Sequence, residues 1–98
     1  MKPSLLVILL SFSALMASSQ SITWSGQIAD LVYKNCTSCH HSGGIAPFSM
    51  MSYQQSFNNR FKIRSAVSNK VMPPWPPDNG YRRHAFNRSL NDEDIKKF

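Results

Sequence analysis

Both cysteines of the chain fall within one five-residue stretch, Cys36-Thr37-Ser38-Cys39-His40. Two thiols three positions apart occupy neighbouring points of one helical turn. There each can add to one of the two vinyl groups on the same edge of a porphyrin. A histidine directly after the second thiol then comes under the ring centre. C-x-x-C-H is the pattern of covalent c-type haem attachment. Cys36 and Cys39 are read as tethers, and His40 as the proximal iron ligand through a neutral imidazole nitrogen. The other ring nitrogen of His40 needs an acceptor to fix its tautomer. The carbonyl of Pro47 is the candidate, because Gly43-Gly44 lets the chain double back against the ring.

A second stretch offers the distal side. In Met72-Pro73-Pro74-Trp75-Pro76-Pro77 a soft thioether precedes a run of prolines that hold the backbone extended without help from a helix or strand. Paired with histidine, a methionine ligand raises the potential of haem iron. Met72 is therefore read as the sixth ligand and His84 as its rival, while Met50 and Met51 read as pocket filler. Trp75 either donates its indole N–H to a haem propionate or lines the pocket. Arg82, Arg83 and Arg88 are the candidate partners for the propionates. His41, beside the proximal ligand, is expected at the surface.

The same residues admit other chemistries. Cys36 and Cys39 alone form a possible dithiol or disulfide pair, but a redox C-x-x-C is expected near a βαβ pattern, and none is visible. A zinc site from Cys36, Cys39, His40 and His84 lacks the paired spacing of zinc modules. The Met72 segment has a plainer reading as core plus a polyproline linker.

The elements that must position these groups are helical. Ser25 is expected to cap a short helix from about Gly26 to the motif, with Ile28, Leu31 and Val32 on one face and Trp24 as a staple or core residue. Ser52 with Gln55 forms a capping box opening a helix from about Tyr53 to Asn69. Along it Tyr53, Phe57, Phe61, Arg64, Val67 and Val71 recur at helical spacing and predict an inward face, leaving Arg60, Lys62 and Arg64 largely to solvent. Asp78-Asn79-Gly80 is a turn. Asn91 caps a helix beginning Asp92-Glu93-Asp94, which is too short to be stable alone and is expected to continue in a longer parent protein.

Residues 1–19 combine Lys2, the run Leu5-Leu6-Val7-Ile8-Leu9-Leu10 and a small-residue end at Ala17-Ser18-Ser19. This is the pattern of a secretory signal peptide, or of an N-terminal membrane anchor where it stays uncleaved. Residues 20–98 then form one small domain whose core needs a staple, which a covalent haem provides. The formal net charge of +6 suits either an acidic redox partner or a merely solvated surface, while the basic residues are too dispersed for nucleic acid.

Taken together, Gln27 to Phe98 resembles a class I-type cytochrome c domain: helix, Cys36-x-x-Cys39-His40, helix, Met72, and the start of a last helix at Leu90-Asn91-Asp92-Glu93. More narrowly, Ile22-Thr23-Trp24, Gly43-Gly44-Ile45-Ala46-Pro47-Phe48, Met72-Pro73-Pro74-Trp75 and Asp78 are similar to bacterial exported cytochrome c domains, often fused to copper monooxygenase-like or thioredoxin-like modules. The resemblance implies an all-α fold of three to four short helices and loops wrapped round one haem, with end helices that cross and a last helix left incomplete. It implies haem c, one-electron transfer, His40/Met72 ligation, haem-maturation machinery and a periplasmic location. The alternative it leaves is the haem domain of a larger, membrane-associated or fused oxidoreductase, including one with an open iron site.

Overall fold

The computed structural model describes residues 19–75, 77–78 and 80–98, so the apolar N-terminal stretch lies, but for Ser19, outside the described residues. Among the described residues all regular structure is helical. The chain opens on a wide turn, Trp24–Ile28, which runs directly into α1, Ala29–Asn35. Thr23, not Ser25, caps it. The Thr23 hydroxyl accepts from the Gly26 amide at 3.1 Å, and Gln27 Oε1 accepts from the Thr23 amide at 2.9 Å. Gly26 permits this, since a Cβ there would sit 2.6 Å from Thr23 Oγ1. The Thr23 carbonyl takes both the Gln27 and the Ile28 amides, which widens the first turn.

Along α1, Val32 is buried and Ile28 and Leu31 are half-buried, as the predicted face requires. Trp24 serves as a staple between elements. Its ring meets Tyr33 and Tyr53 edge-on, at centroid distances of 6.1 and 5.8 Å.

The long helix expected from Tyr53 to Asn69 is two helices, α2 (Tyr53–Asn58) and α3 (Arg60–Ser68). Ser52 caps α2 as expected, accepting from the Gln55 amide at 3.3 Å, while Gln55 Oε1 reaches back to the Met51 amide at 2.9 Å. The break is Asn59, at φ −107° and ψ 10°, whose side-chain amide donates to the Gln55 carbonyl at 3.0 Å. A short polar side chain competing for backbone acceptors interrupts the ladder. The aromatic members of the predicted stripe are not an inward face. Tyr53, Phe57 and Phe61 are exposed, and the Arg60 guanidinium stacks over the Phe57 and Phe61 rings at 4.1 and 4.3 Å. Val67 is buried, as expected of that face, with Ile63 and Ala66 half-buried beside it.

α3 ends in a Schellman closure. Lys70 takes the left-handed conformation (φ 56°), its amide bonds the Val67 carbonyl, and the Val71 amide bonds the Ala66 carbonyl at 2.9 Å. The last helix, α4, covers Asp92–Ile95; Asn91 caps it, accepting from the Asp94 amide at 2.7 Å. Beyond it, Lys97 and Phe98 line an apolar groove shared with Trp24, Val32 and Phe57, which brings the C-terminal residues to α1 and α2. Among the described residues the fully buried apolar core is small: Val32, Met50 and Val67.

Candidate functional site

The motif begins where α1 ends. The Cys36 amide bonds the Val32 carbonyl at 2.8 Å, and the Cys36 carbonyl accepts from the Cys39 and His40 amides at 3.2 and 2.9 Å. One tight turn thus carries both thiols and the imidazole, and all three line the same cavity. Thr37, between them, is tied back to α1 through a 2.8 Å bond from its hydroxyl to the Tyr33 carbonyl.

The loop after His40 folds back on the turn. The Ala46 amide bonds the Cys39 carbonyl and the Met50 amide bonds the His40 carbonyl, at 3.2 and 2.9 Å. Gly43 supplies a positive φ of 75°, and Gly44 supplies clearance: a Cβ there would lie 2.5 Å from the Cys39 carbonyl oxygen. This lacing corrects one expectation. The acceptor for His40 Nδ1 is the carbonyl of Phe48, at 2.9 Å, not that of Pro47. The Phe48 ring packs on the imidazole at a centroid distance of 4.7 Å, and His40 is buried. With the proton on Nδ1, Nε2 is left as a free donor of electrons. His41 is exposed, as expected, with Nδ1 held by the Thr37 carbonyl at 2.8 Å.

The cavity measures about 510 Å³. Its floor is the motif turn, and one wall is the returning loop, including Ile45, Pro47 and Met50. The inward face of α3 forms a second wall through Ile63, Ala66 and Val67. Met72, Pro73, Pro74 and Trp75 also line the cavity, with Phe86. The closure of α3 sets Met72 there, since the Met72 amide shares the Ala66 carbonyl with Val71, at 3.2 Å. The proline run is not straight, because Trp75 takes φ 53°. Cys36, Cys39, His40, Pro47, Met72 and Trp75 therefore share one cavity, with Met72 38% and Trp75 90% exposed.

Other expected residues fall elsewhere. Met51 and His84 are exposed and do not line the cavity, nor do Arg82 and Arg83. Arg88 does, and so does Lys62, although both are exposed, as helical phase predicts for Lys62. A bare metal ion finds no cluster of three or more His, Cys, Asp or Glu among the described residues, so Cys36, Cys39, His40 and His84 do not converge as a zinc set.

Burial pushes the Cys36 thiol up from 9.0 to about 11. A nucleophilic redox cysteine needs the opposite shift, toward the thiolate. No helix among the described residues is long and apolar enough to cross a membrane. Compared with known proteins, the chain matches no family model, no curated protein and no solved structure, so the chemistry of the site rests on its own residues.

Proposed function

We propose that the protein is an exported one-electron carrier holding a single haem c, tethered by Cys36 and Cys39 and ligated through His40 and Met72. The observation that carries this reading is the convergence of the C-x-x-C-H turn and Met72 on one apolar cavity. The residues fit the group. At about 510 Å³ the cavity lies within the ~300–1,000 Å³ range of cofactor sites. Its donors are one imidazole nitrogen and one thioether, the pair suited to low-spin haem iron.

When bound, haem supplies a one-electron ferric/ferrous couple. The chain's own groups set its conditions. The Phe48 carbonyl orients the His40 ring and makes Nε2 the better donor. The Met72 thioether favours the more electron-rich state. Ile63, Val67 and Met50 give the interior an apolar lining. A thiol held protonated at Cys36 does not serve a dithiol exchange mechanism, which weakens the non-haem reading.

Export, haem-maturation machinery outside the cytoplasm and an acidic redox partner belong to the same proposal. A second reading, an open-site haem domain of a larger oxidoreductase, draws on the 38% exposure of Met72. The test is expression of the full chain with haem-maturation machinery. A pigment that survives denaturation and solvent extraction, and is absent from a Cys36→Ala/Cys39→Ala double variant, is the expected result. A colourless wild-type protein would overturn the proposal.

A further inference from the structure

Trp24 serves the fold as a staple, and its neighbours give it a second capacity. Its indole stands between two phenols, with ring centroids 6.1 Å from Tyr33 and 5.8 Å from Tyr53. Indole and phenol are the aromatic side chains that give up single electrons most readily, and rings in contact exchange them fast. Tyr33 and Tyr53 are 47% and 50% exposed while Trp24 is half-buried, so the series runs from the interior to water. On the inner side, Ile63 lines both the groove that holds Trp24 and Tyr53 and the large cavity. On the outer side the oxidisable rings stop. Phe57 follows Tyr53 at 5.4 Å, but benzene rings are far harder to oxidise, and the Arg60 guanidinium over its face at 4.1 Å opposes further positive charge there.

We propose that Trp24, Tyr33 and Tyr53 form a relay that drains oxidising equivalents from the cavity to the surface, sparing the Met50 and Met72 thioethers from sulfoxide formation. A one-electron-oxidised Trp24 takes an electron from either phenol, whose proton passes to water. Hydrogen peroxide is the oxidant for which the relay balances: two electrons and two protons from the two phenols reduce one peroxide to two waters. The two phenoxyl radicals left are refilled by a small one-electron reductant such as ascorbate. The protective role rests on the haem reading; the relay itself does not.

The first measurement is pulse radiolysis of the full chain carrying Trp75→Phe, which leaves Trp24 as the sole indole. The azide radical serves as the one-electron oxidant of Trp24. The indolyl absorption is expected to decay as a phenoxyl absorption grows, at a rate independent of protein concentration. That conversion is expected to be lost in Tyr33→Phe/Tyr53→Phe, which keeps both rings, and retained in Tyr81→Phe. Conversion that survives the double variant, or that is absent from the parent, overturns the relay. In the haem-loaded chain treated with hydrogen peroxide, the double variant is expected to raise sulfoxide at Met72, relative to exposed Met51, about threefold by mass spectrometry. An unchanged ratio overturns the protective role. A chain that carries no covalent haem fails the haem reading and the protective role with it, while the radiolysis result stands.

Discussion

Adjacent glycines follow the motif, and the structure separates their roles sharply enough to rank two substitutions. At Gly44 an added Cβ would lie 2.5 Å from the Cys39 carbonyl oxygen and 2.9 Å from His41 Cε1. Ordinary contact begins near 3.4 Å, so backbone must move by about 0.9 Å, and the obstructing atom belongs to the motif turn itself. Overpacking of this kind costs about 1–3 kcal/mol. The displaced carbonyl also accepts from the Ala46 amide, a bond whose loss adds about 1 kcal/mol. Gly44→Ala is therefore expected to destabilise by about 2–4 kcal/mol. At Gly43 the space is open and only the φ of 75° is unfavourable, which costs about 1 kcal/mol. Denaturant unfolding of the two variants beside the wild type, followed by tryptophan fluorescence, gives both numbers from the midpoints. Equal losses, or a greater loss for Gly43→Ala, would refute the claim that the returning loop is pinned against Cys39.

Three further outcomes are expected. Thr23→Ala should cost about 1 kcal/mol in the same unfolding assay while Ser25→Ala stays within about 0.5 kcal/mol, and the reverse order would restore Ser25 as the cap. Lys70→Gly should be more stable than Lys70→Ala by about 1 kcal/mol, since both lose the Asp92 ion pair and only glycine is at ease with φ 56°. The side-chain hydrogen bond from Lys70, with its charge, holds the Asp92 carboxyl below its usual 3.8. A lowered folded value means stability that is present above about 3.8 and lost as pH falls through the lower value. Asp92→Asn should accordingly flatten the acid limb of stability against pH, and should do so less at high salt, because the pair is exposed. An acid limb unchanged in that variant at low salt would contradict this.

The parts of the site legible in the sequence were those encoded by residue type at short range. The Ser52 cap and the Asn91 cap each depend on atoms within four positions of one another, and each forms as expected. The misreadings are of another kind. Thr23 displaces Ser25 because only a glycine three positions on leaves room for its hydroxyl, a steric fact invisible to cap preference. Asn59 looks like an ordinary helix residue until its amide finds the Gln55 carbonyl, and the single helix expected there divides in two. Beyond it Val67 is buried as expected, but Phe61 is exposed. The Phe48 carbonyl replaces that of Pro47 because the bond from the Met50 amide to the His40 carbonyl fixes how far the loop returns, a tertiary register with no local signature. The closure that delivers Met72 carries no glycine signal, because its left-handed position is Lys70, where glycine is usual.

The central claim is that His40 and Met72 ligate the iron of one tethered haem. Its most direct test is the optical spectrum of the full chain matured with haem, oxidised and reduced, extended to the near-infrared region where thioether-to-ferric-iron charge transfer absorbs. The account predicts sharp reduced bands and that near-infrared feature, lost in Met72→Ala and retained in His84→Ala. A covalent haem whose spectrum lacks the feature in the wild type, or keeps it without Met72, would contradict the axial assignment.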